Sequence, residues 1–386
     1  MVNRLIRLSR SNSFFILGPR GVGKSTLIRN CYNLQKESFL YIDLLNPNIE
    51  DQYRLNPNVL KQQVSAHSRL RWVVIDEVQK LPRLLDIVHE LIENTSLKFI
   101  LSGSSARKLK RGGSNLLAGR AFMFYLYPFT SIELKEKFNL KKSLQWGMLP
   151  QIFKFKSNQD RKEYLKSYTL TYLREEIQIE QIVRKLTPFR KFLEIAAQMN
   201  GKIINFSKIG SDIGVDTTTV QNYYSILEDT LIGFHLQAYH TSIRKSQRLS
   251  PKFYLFDTGV CRALKRTLDL PLLPQTYDFG EAFEHFIILE FIKLSEYYRK
   301  DWKFFYLRTK DGAEIDLIVE RPGQKTICIE IKSSDRITQH DVKVLNTLGQ
   351  SIPNSILYCL SRDVQKKKIQ NTYCLEWQEG LKKIFR

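Results

Sequence analysis

Short apolar runs punctuate the first third of the chain: SFFILG (13–18), SFLYIDL (38–44), RWVVIDE (71–77), LKFILSG (97–103) and AFMFYLY (121–127). Each is rich in β-branched or aromatic residues, and stretches of helical period lie between them. Continuous apolar runs of this length read as strands buried on both faces, and alternation with helices predicts a parallel α/β sheet. From residue 131 the pattern turns charged and helical, from IELKEKF to YLREEIQIEQIVRKL. Residues 187–240 keep the helical period with two Gly interruptions. From residue 276 a helix leads into strands again: KFFYLR, EIDLIVE, TICIEIK and SILYCL. No internal repeat or low-complexity segment interrupts this order. The expected divisions are therefore 1–130, 131–186, 187–275 and 276–386, in a chain of the α/β class.

The first apolar strand ends in Gly18-Pro19-Arg20-Gly21-Val22-Gly23-Lys24-Ser25-Thr26, and a helix opens at once. This is the G-x-x-x-x-G-K-[ST] pattern in the strand–loop–helix context that it requires. The backbone N–H groups of such a loop point at phosphates, and the helix N-terminus adds a favourable dipole. Lys24 is expected to reach the β- and γ-phosphates of ATP, and Ser25 to ligate Mg²⁺. The run Trp72-Val-Val-Ile-Asp76-Glu77 ends in two carboxylates: Asp76 is expected to hold Mg²⁺ through water, and Glu77 to polarise the attacking water. Ser102 or Ser104, at the end of the next strand, is a candidate to position that water, with a turn or helix cap as the plainer reading. Arg120 is a candidate transition-state finger, acting in cis or from a neighbouring subunit. Its rival reading is a structural salt bridge.

Length and composition narrow the classes. A chain of 386 residues with 43% hydrophobic and 12% aromatic content suits two or three folded domains rather than a disordered polymer. No apolar run approaches the 18 or so residues a membrane helix needs. The basic start, MVNRLIRLSRSNSFFILG, lacks a small-residue cleavage site and reads as no secretory leader. The five cysteines, Cys31, Cys261, Cys328, Cys359 and Cys374, show neither zinc spacing nor an even disulfide set, so reduced thiols in the cytoplasm are expected. The formal net charge is +21. Residues 1–150 hold 23 Lys and Arg against 11 Asp and Glu, residues 151–270 hold 19 against 12, and the rest 18 against 16. A surplus spread over two thirds of the chain points to an anionic partner, nucleic acid ahead of a membrane surface. Lys108, Lys110 and Arg111, beside Gly112 and Gly113, are candidates for a basic loop that contacts it. The plain alternative is a solvated loop.

The middle region reads as three helices and a strand pair. Thr187 to Gly201 is a helix stopped by glycine, Asn205 to Gly214 a shorter one, and Val215 to Asp229 a third with Asp216 as N-cap. A short helix-turn-helix followed by strands describes a winged helix, whose third helix can enter a major groove. Thr217, Thr218, Thr219, Gln221 and Asn222 are then the contact candidates. Packing or oligomer formation is the other use of such a fold. Near the C-terminus, Glu284 lies on a helix, and Glu314 and Asp316 share one face of a strand. Glu330 and Lys332 share a face of the next.

The ordered series GPRGVGKST, VVIDEVQKLP, SGSSARKL, LAGR and YPFTSIEL resembles one family: the large AAA-type ATPases of bacteria and archaea whose C-terminal half was catalogued as a domain of unknown function. NGKIINFSKIGSDIGVDTTTVQNYYSILEDT and SPKFYLFDTGV resemble its middle section, so the likeness covers nearly the whole chain. Gly21 stands where that family often has Gln. The resemblance implies an AAA-type P-loop core (1–130), a helical lid (131–186), a winged helix (187–275) and a C-terminal α/β domain (276–386). The last resembles the PD-(D/E)xK restriction-nuclease fold of Holliday-junction resolvases. In that likeness Asp316 and Glu330, helped by Glu284, bind Mg²⁺ or Mn²⁺, and Lys332 orients the attacking water. A fold kept without cutting is the alternative. The expected function is ATP-driven work on duplex, forked or junction DNA (translocation, branch migration or remodelling, as repair and recombination require), with metal-dependent cleavage as an added option. ATPases of this class act as homo-oligomeric rings, a hexamer among them. The rival expectation is an ATP-dependent switch or signalling scaffold that acts on a protein partner and leaves DNA alone.

Overall fold

All five apolar runs of the first third become strands of one sheet: β1 (Phe14–Leu17), β2 (Phe39–Asp43), β3 (Trp72–Asp76), β4 (Lys98–Gly103) and β5 (Phe122–Tyr125). Every pairing is parallel and the order is β2-β3-β4-β1-β5. The computed structural model describes residues 2–32, 38–105, 117, 119–178, 186–240, 242 and 249–386, and for 172–178 the backbone alone. Lys108, Lys110, Arg111, Gly112 and Gly113 lie outside the described residues.

Alternation along the strands explains the two faces of this sheet. Phe15, Leu17, Val73, Ile75 and Leu101 face α2 (Pro47–Leu55), α3 (Val59–Ala66) and α4 (Leu84–Asn94), which bury Tyr53, Leu60, Leu84, Leu85 and Val88 against them. Phe14 points the other way and meets Phe124 edge-on, with ring centroids 5.4 Å apart, within an aromatic group that includes Tyr32, Phe39 and Trp72. Because β4 is inserted between β1 and β3, the C-terminal ends of three neighbouring strands deliver their loops to one edge. That edge is where open parallel sheets bind ligands.

The chain divides into two compact units: residues 1–129 with 229–232, and residues 130–228 with 233–386. The second unit begins with helices, among them α5 (Leu140–Trp146) and α6 (Asn158–Gln178). Next come α7 (Leu186–Gln198), α8 (Phe206–Ile213) and α9 (Thr217–Asp229), then the antiparallel strands β6 (Gly233–Ala238) and β7 (Lys252–Leu255). Aromatic side chains join these pieces: Phe192 meets Tyr224 at 4.8 Å and Tyr224 meets Phe253 at 4.9 Å. The α8–α9 turn requires Gly210, since a Cβ there would lie 2.7 Å from the carbonyl oxygen of Val215.

After α10 (Thr258–Leu264), the long α11 (Tyr277–Tyr297) is apolar nearly all round and correspondingly buried, through Phe283, Phe286, Ile287, Phe291 and Leu294. The unit is completed by β8 (Lys303–Arg308), β9 (Glu314–Glu320), β10 (Thr326–Lys332), α12 (Lys343–Gln350), β11 (Ser355–Ser361), β12 (Lys367–Ile369), β13 (Thr372–Glu376) and α13 (Trp377–Phe385), and α11 packs against β10 and α13. The sheet has eight strands in the order β12-β13-β11-β10-β9-β8-β6-β7. A short parallel pairing, Gln237 with Phe305 and Ala238 with Tyr306, joins the β6/β7 hairpin to the C-terminal strands. One sheet therefore runs across the 275/276 division expected from the sequence.

Candidate nucleotide site and a second carboxylate cluster

Residues 18–23 make the turn from β1 into α1 (Lys24–Cys31). Two glycines carry positive φ, Gly21 at 75° and Gly23 at 94°, a region that costs side-chain-bearing residues. Gly18 is tied to β4 by its N–H to the Gly103 carbonyl at 3.2 Å, and a Cβ on it would sit 2.1 Å from the Leu126 oxygen. Pro19, Arg20 and Val22 complete the loop, with Val22 buried beneath it. The Lys24 ammonium, itself buried, spans the loop and donates to the carbonyls of Gly18 at 2.7 Å and Pro19 at 3.2 Å. Ser25 is half-buried and Thr26 exposed at the first turn of α1, which has no acidic residue to offset its dipole.

At the neighbouring strand ends, Asp76 and Glu77 are both buried. Ser102 Oγ donates to Asp76 Oδ1, and Tyr41 donates its hydroxyl to Asp76 Oδ2 at 2.6 Å. Burial first, then the bond to Asp76, pushes the Tyr41 phenol up to about 12, so it stays a donor. The Glu77 N–H donates to Ser102 Oγ at 3.2 Å. Glu77 has φ of 59°, a left-handed conformation that costs a non-glycine residue roughly 1–3 kcal/mol when imposed by its surroundings. Its Oε2 accepts from Gln79 Nε2 at 2.5 Å, and the same amide donates to Ser104 Oγ at 3.0 Å. Among the described residues neither Asp76 nor Glu77 forms an ion pair. Neutral donors orient both carboxylates, and the Arg29 guanidinium stands behind Tyr41, 3.4 Å from its hydroxyl, within electrostatic reach of Asp76.

This donor set fits ATP with Mg²⁺. The glycine turn presents N–H groups, Lys24 supplies a buried cation, and Ser25 and Asp76 are the residues that would hold the metal ion. Sequence reasoning did not single out Tyr41 and Gln79. Their signal was weak, because a tyrosine in an apolar strand and a glutamine after a carboxylate are common; only strand order brings Tyr41 to Asp76. Arg120 needs correction as a finger in cis. Pairing of Phe14 with Phe122 puts it at the N-terminal edge of the sheet, whereas the glycine turn follows the C-terminal edge, about 10 Å of strand away. There its Nε pairs with Glu93 Oε1 at 2.5 Å.

The second unit gathers another carboxylate group. Register between β9 and β10 (Leu317 with Ile329) sets Asp316 beside Glu330, and α11 brings Glu284. Asp316 and Glu284 line a cleft of about 550 Å³ together with Glu314, Lys332 and Lys252. Glu330 Oε1 pairs with Lys332 Nζ at 2.6 Å, while Asp316 Oδ2 accepts from the Ile331 N–H at 2.7 Å. Glu284 Oε1 accepts from the Tyr254 hydroxyl at 2.7 Å. Lys252 was not anticipated. Its ammonium pairs with Glu314 and lies 3.6 Å from Glu284 Oε1, and only 3% of the residue is exposed. Burial opposes its charge, but Glu284, Glu314 and Asp316 outweigh that and raise its pKa. Asp316 is held well above the usual carboxylate range by burial first, then by Glu330 and Glu284. The signal for Lys252 was present: it is the one charged residue in the buried run KFYL, and the two-residue alternation sets it on the face of Tyr254.

The expected Mg²⁺ or Mn²⁺ does not fit the cluster as it stands. Among the described residues no group of three or more His, Cys, Asp or Glu side chains is placed to hold a metal ion. Of the expected ligands, Glu284, Asp316 and Glu330 do come together, but Glu284 and Glu330 each face an ammonium group, those of Lys252 and Lys332.

On α9, Thr217, Thr218, Gln221 and Asn222 are exposed. Thr219 is half-buried: its N–H and hydroxyl both donate to the Asp216 carboxylate at 2.7 Å, which caps the helix. No helix among the described residues is long and apolar enough to cross a membrane.

A family model described as an AAA domain matches residues 10–135. Two described as domains of unknown function, DUF8612 and DUF4143, match residues 137–271 and 279–378. An uncharacterized protein of Mycobacterium tuberculosis is 28% identical over 319 residues, which span 82% of this chain and 69% of that protein; one from Mycobacterium bovis matches equally. Among solved structures, a replication initiator DnaA bound to AMPPCP and single-stranded DNA is 18% identical with a TM-score of 0.31, over 57% of this chain and 83% of that one. The Aeropyrum pernix ORC1 protein in complex with DNA is 13% identical with a TM-score of 0.27, over 68% and 87%. Those scores are too low to support a residue correspondence. The AAA match and the P-loop architecture together make the first unit an ATPase domain.

Proposed function

We propose that the chain is an ATP-hydrolysing machine that works on DNA, by translocation, branch migration or remodelling of a junction. The observation that carries the DNA reading is the exposed polar stripe Thr217, Thr218, Gln221 and Asn222 at the start of α9. It lies on the third of three helices followed by the β6/β7 hairpin, the order of a winged helix. The net charge of +21 is consistent with a polyanionic partner. Helices between residues 131 and 186 serve in this reading as the lid of the ATPase, and the five free cysteines suit the cytoplasm.

ATP with Mg²⁺ supplies the phosphoanhydride whose hydrolysis drives the work. Lys24 Nζ exchanges the carbonyls of Gly18 and Pro19 for phosphate oxygens. Asp76 is oriented by Tyr41 and Ser102. The Glu77 carboxylate takes the proton of the attacking water, held meanwhile by Gln79, with Ser104 behind it. Arg120 lies too far from its own glycine turn to act there, so a finger role for it requires a second copy, as in a homo-oligomeric ring. Strand cleavage is not part of the proposal, because the carboxylates of the second cluster already face ammonium groups, Lys252 on Glu314 and Glu284 and Lys332 on Glu330.

Steady-state ATP hydrolysis by wild type and Glu77→Gln, each with and without duplex, forked and four-way-junction DNA, tests this reading. A several-fold rise with one DNA, absent in Glu77→Gln, supports the motor and names its substrate. Turnover indifferent to every DNA, with DNA binding that is weak and insensitive to salt, overturns it and leaves the ATP-dependent switch that acts on a protein.

A further inference from the structure

The Lys252 backbone is fixed from both sides. It pairs with Leu236 of β6 and bridges to Ile203, and flanking bonds run from Ile204 N–H to the Pro251 carbonyl at 2.9 Å and from Gly201 N–H to the Phe253 carbonyl at 2.8 Å. A side chain rooted this way delivers its ammonium to one place. There it meets Glu314 and Glu284, and its Nζ lies 5.4 Å from the centre of the Tyr306 ring, a cation–π distance. With Lys332 on Glu330 and Arg308 3.6 Å from Glu314, the cleft carries its own counter-charges.

We propose that the Lys252 ammonium is the resident cation of the Glu284, Glu314 and Asp316 cluster and takes the place of a divalent metal ion, so that this cleft neither binds Mg²⁺ or Mn²⁺ nor cuts DNA. The argument is one of space and charge. A Mg²⁺ ion demands near-octahedral oxygens at about 2.0–2.1 Å. Here Glu314 and Glu284 turn toward Nζ, and Asp316 Oδ2 is committed to the Ile331 N–H. Glu330 Oε2 is buried without a hydrogen-bond partner, and Asp316 Oδ1 and Glu284 Oε2 carry none either, yet among the described residues no three such side chains are placed to hold a metal ion. The ammonium is held in place by Glu314 and Glu284 and by burial of the residue, on a strand anchored at both neighbours. The cation thus comes from β7 and ties the hairpin electrostatically to α11 and β9. The inference does not depend on whether DNA is the partner of the ATPase.

The test is Mn²⁺ titration of the full, nucleotide-free chain, with free ion followed by its paramagnetic resonance signal. Wild type and Asp316→Asn are expected to bind equally, so that any Mn²⁺ at the ATPase site cancels. Lys252→Met is expected to gain one Mn²⁺ per chain, at least tenfold tighter than any site that wild type has in the cleft, and the double variant Lys252→Met/Asp316→Asn to lose it. A Mn²⁺ bound by wild type and lost in Asp316→Asn overturns the proposal. So does a folded Lys252→Met that gains none. Should Lys252→Met fail to fold, the comparison of wild type with Asp316→Asn decides alone.

Discussion

The molecule has two acidic sites at strand ends, and they differ in what holds the carboxylates. In the first unit Asp76 and Glu77 are oriented by a phenol, a serine hydroxyl and an amide, all neutral. In the second, Glu314 and Glu330 are paired with ammonium groups, and Lys252 also faces Glu284. Neutral donors fix geometry without cancelling charge, so a carboxylate held by them remains a cation site. Ammonium partners fix geometry and cancel charge together, and in a buried setting they are strongly held, because removing one leaves the other uncompensated. The same residue type therefore serves opposite ends: one cluster is open to a metal ion and the other already has its cation.

Removing a partner from each site breaks the comparison most directly. Lys252→Ala leaves buried carboxylates without their cation and is expected to cost about 3–5 kcal/mol, read as a lower denaturant midpoint at unchanged slope. A loss below about 1 kcal/mol would mean that the carboxylates do not depend on Lys252 for compensation. Glu77→Gln keeps the shape of the first site and removes the proton acceptor. Its kcat for ATP is expected to fall by roughly 100-fold or more, with nucleotide binding retained in an equilibrium titration. Turnover that survives would place the base elsewhere.

A smaller effect separates orientation from charge. Tyr41→Phe and Gln79→Leu each delete one neutral donor and are expected to lower kcat about tenfold, or ~1.4 kcal/mol, with KM for ATP nearly unchanged. A rise in KM alone would show that these donors bind substrate rather than align carboxylates.

His285, the neighbour of Glu284 on α11, isolates what burial does without a charged partner in contact. It is bonded through Nε2 to the Leu255 carbonyl at 2.6 Å, and burial lowers its pKa from 6.5 to about 3. The folded state therefore lacks a proton that the unfolded state takes up below pH 6.5. Its contribution to stability is present above pH 6.5 and is lost as pH falls toward 3, with a slope of up to about 1.4 kcal/mol per pH unit. His285→Gln should flatten the fall of stability between about pH 6.5 and 4; an unchanged slope would assign it to the carboxylates. The smallest effect is expected at Arg120. Its exposed pair with Glu93 is worth about 0–1 kcal/mol, so Arg120→Ala should leave stability nearly intact. Loss of ATPase activity only at concentrations where the protein self-associates would give it a role in trans.

The first unit was legible because its signals are local. SFFIL, the glycine turn and WVVIDE each state their element and their chemistry within a few residues, and burial on both faces of a parallel sheet leaves an uninterrupted apolar run. The strand order was not legible, and with it went Tyr41: only the placement of β2 beside β3, Asp43 against Asp76, brings the phenol to the carboxylate. In the second unit the alternation along the strands of Asp316 and Glu330 was legible, whereas β12, β13 and α13 were not. Their segments are short, and they are stabilised by what they pack on, as Trp377 is against Phe283 and Phe286.

By itself, then, the sequence determined the nucleotide chemistry of the first unit, since a phosphate-binding turn is a contiguous backbone shape that glycines and one lysine specify. It also determined which carboxylates and which lysine lie on shared faces of β9 and β10, through the two-residue period of a strand. Tertiary structure alone decided which cation meets them. Lys252 belongs to no motif and lies far from Glu314 along the chain, and only the pairing of β6 with β8 carries the hairpin into the sheet that holds Glu314 and Asp316. Charge compensation depends on distance in space, and that is the quantity a linear pattern does not contain.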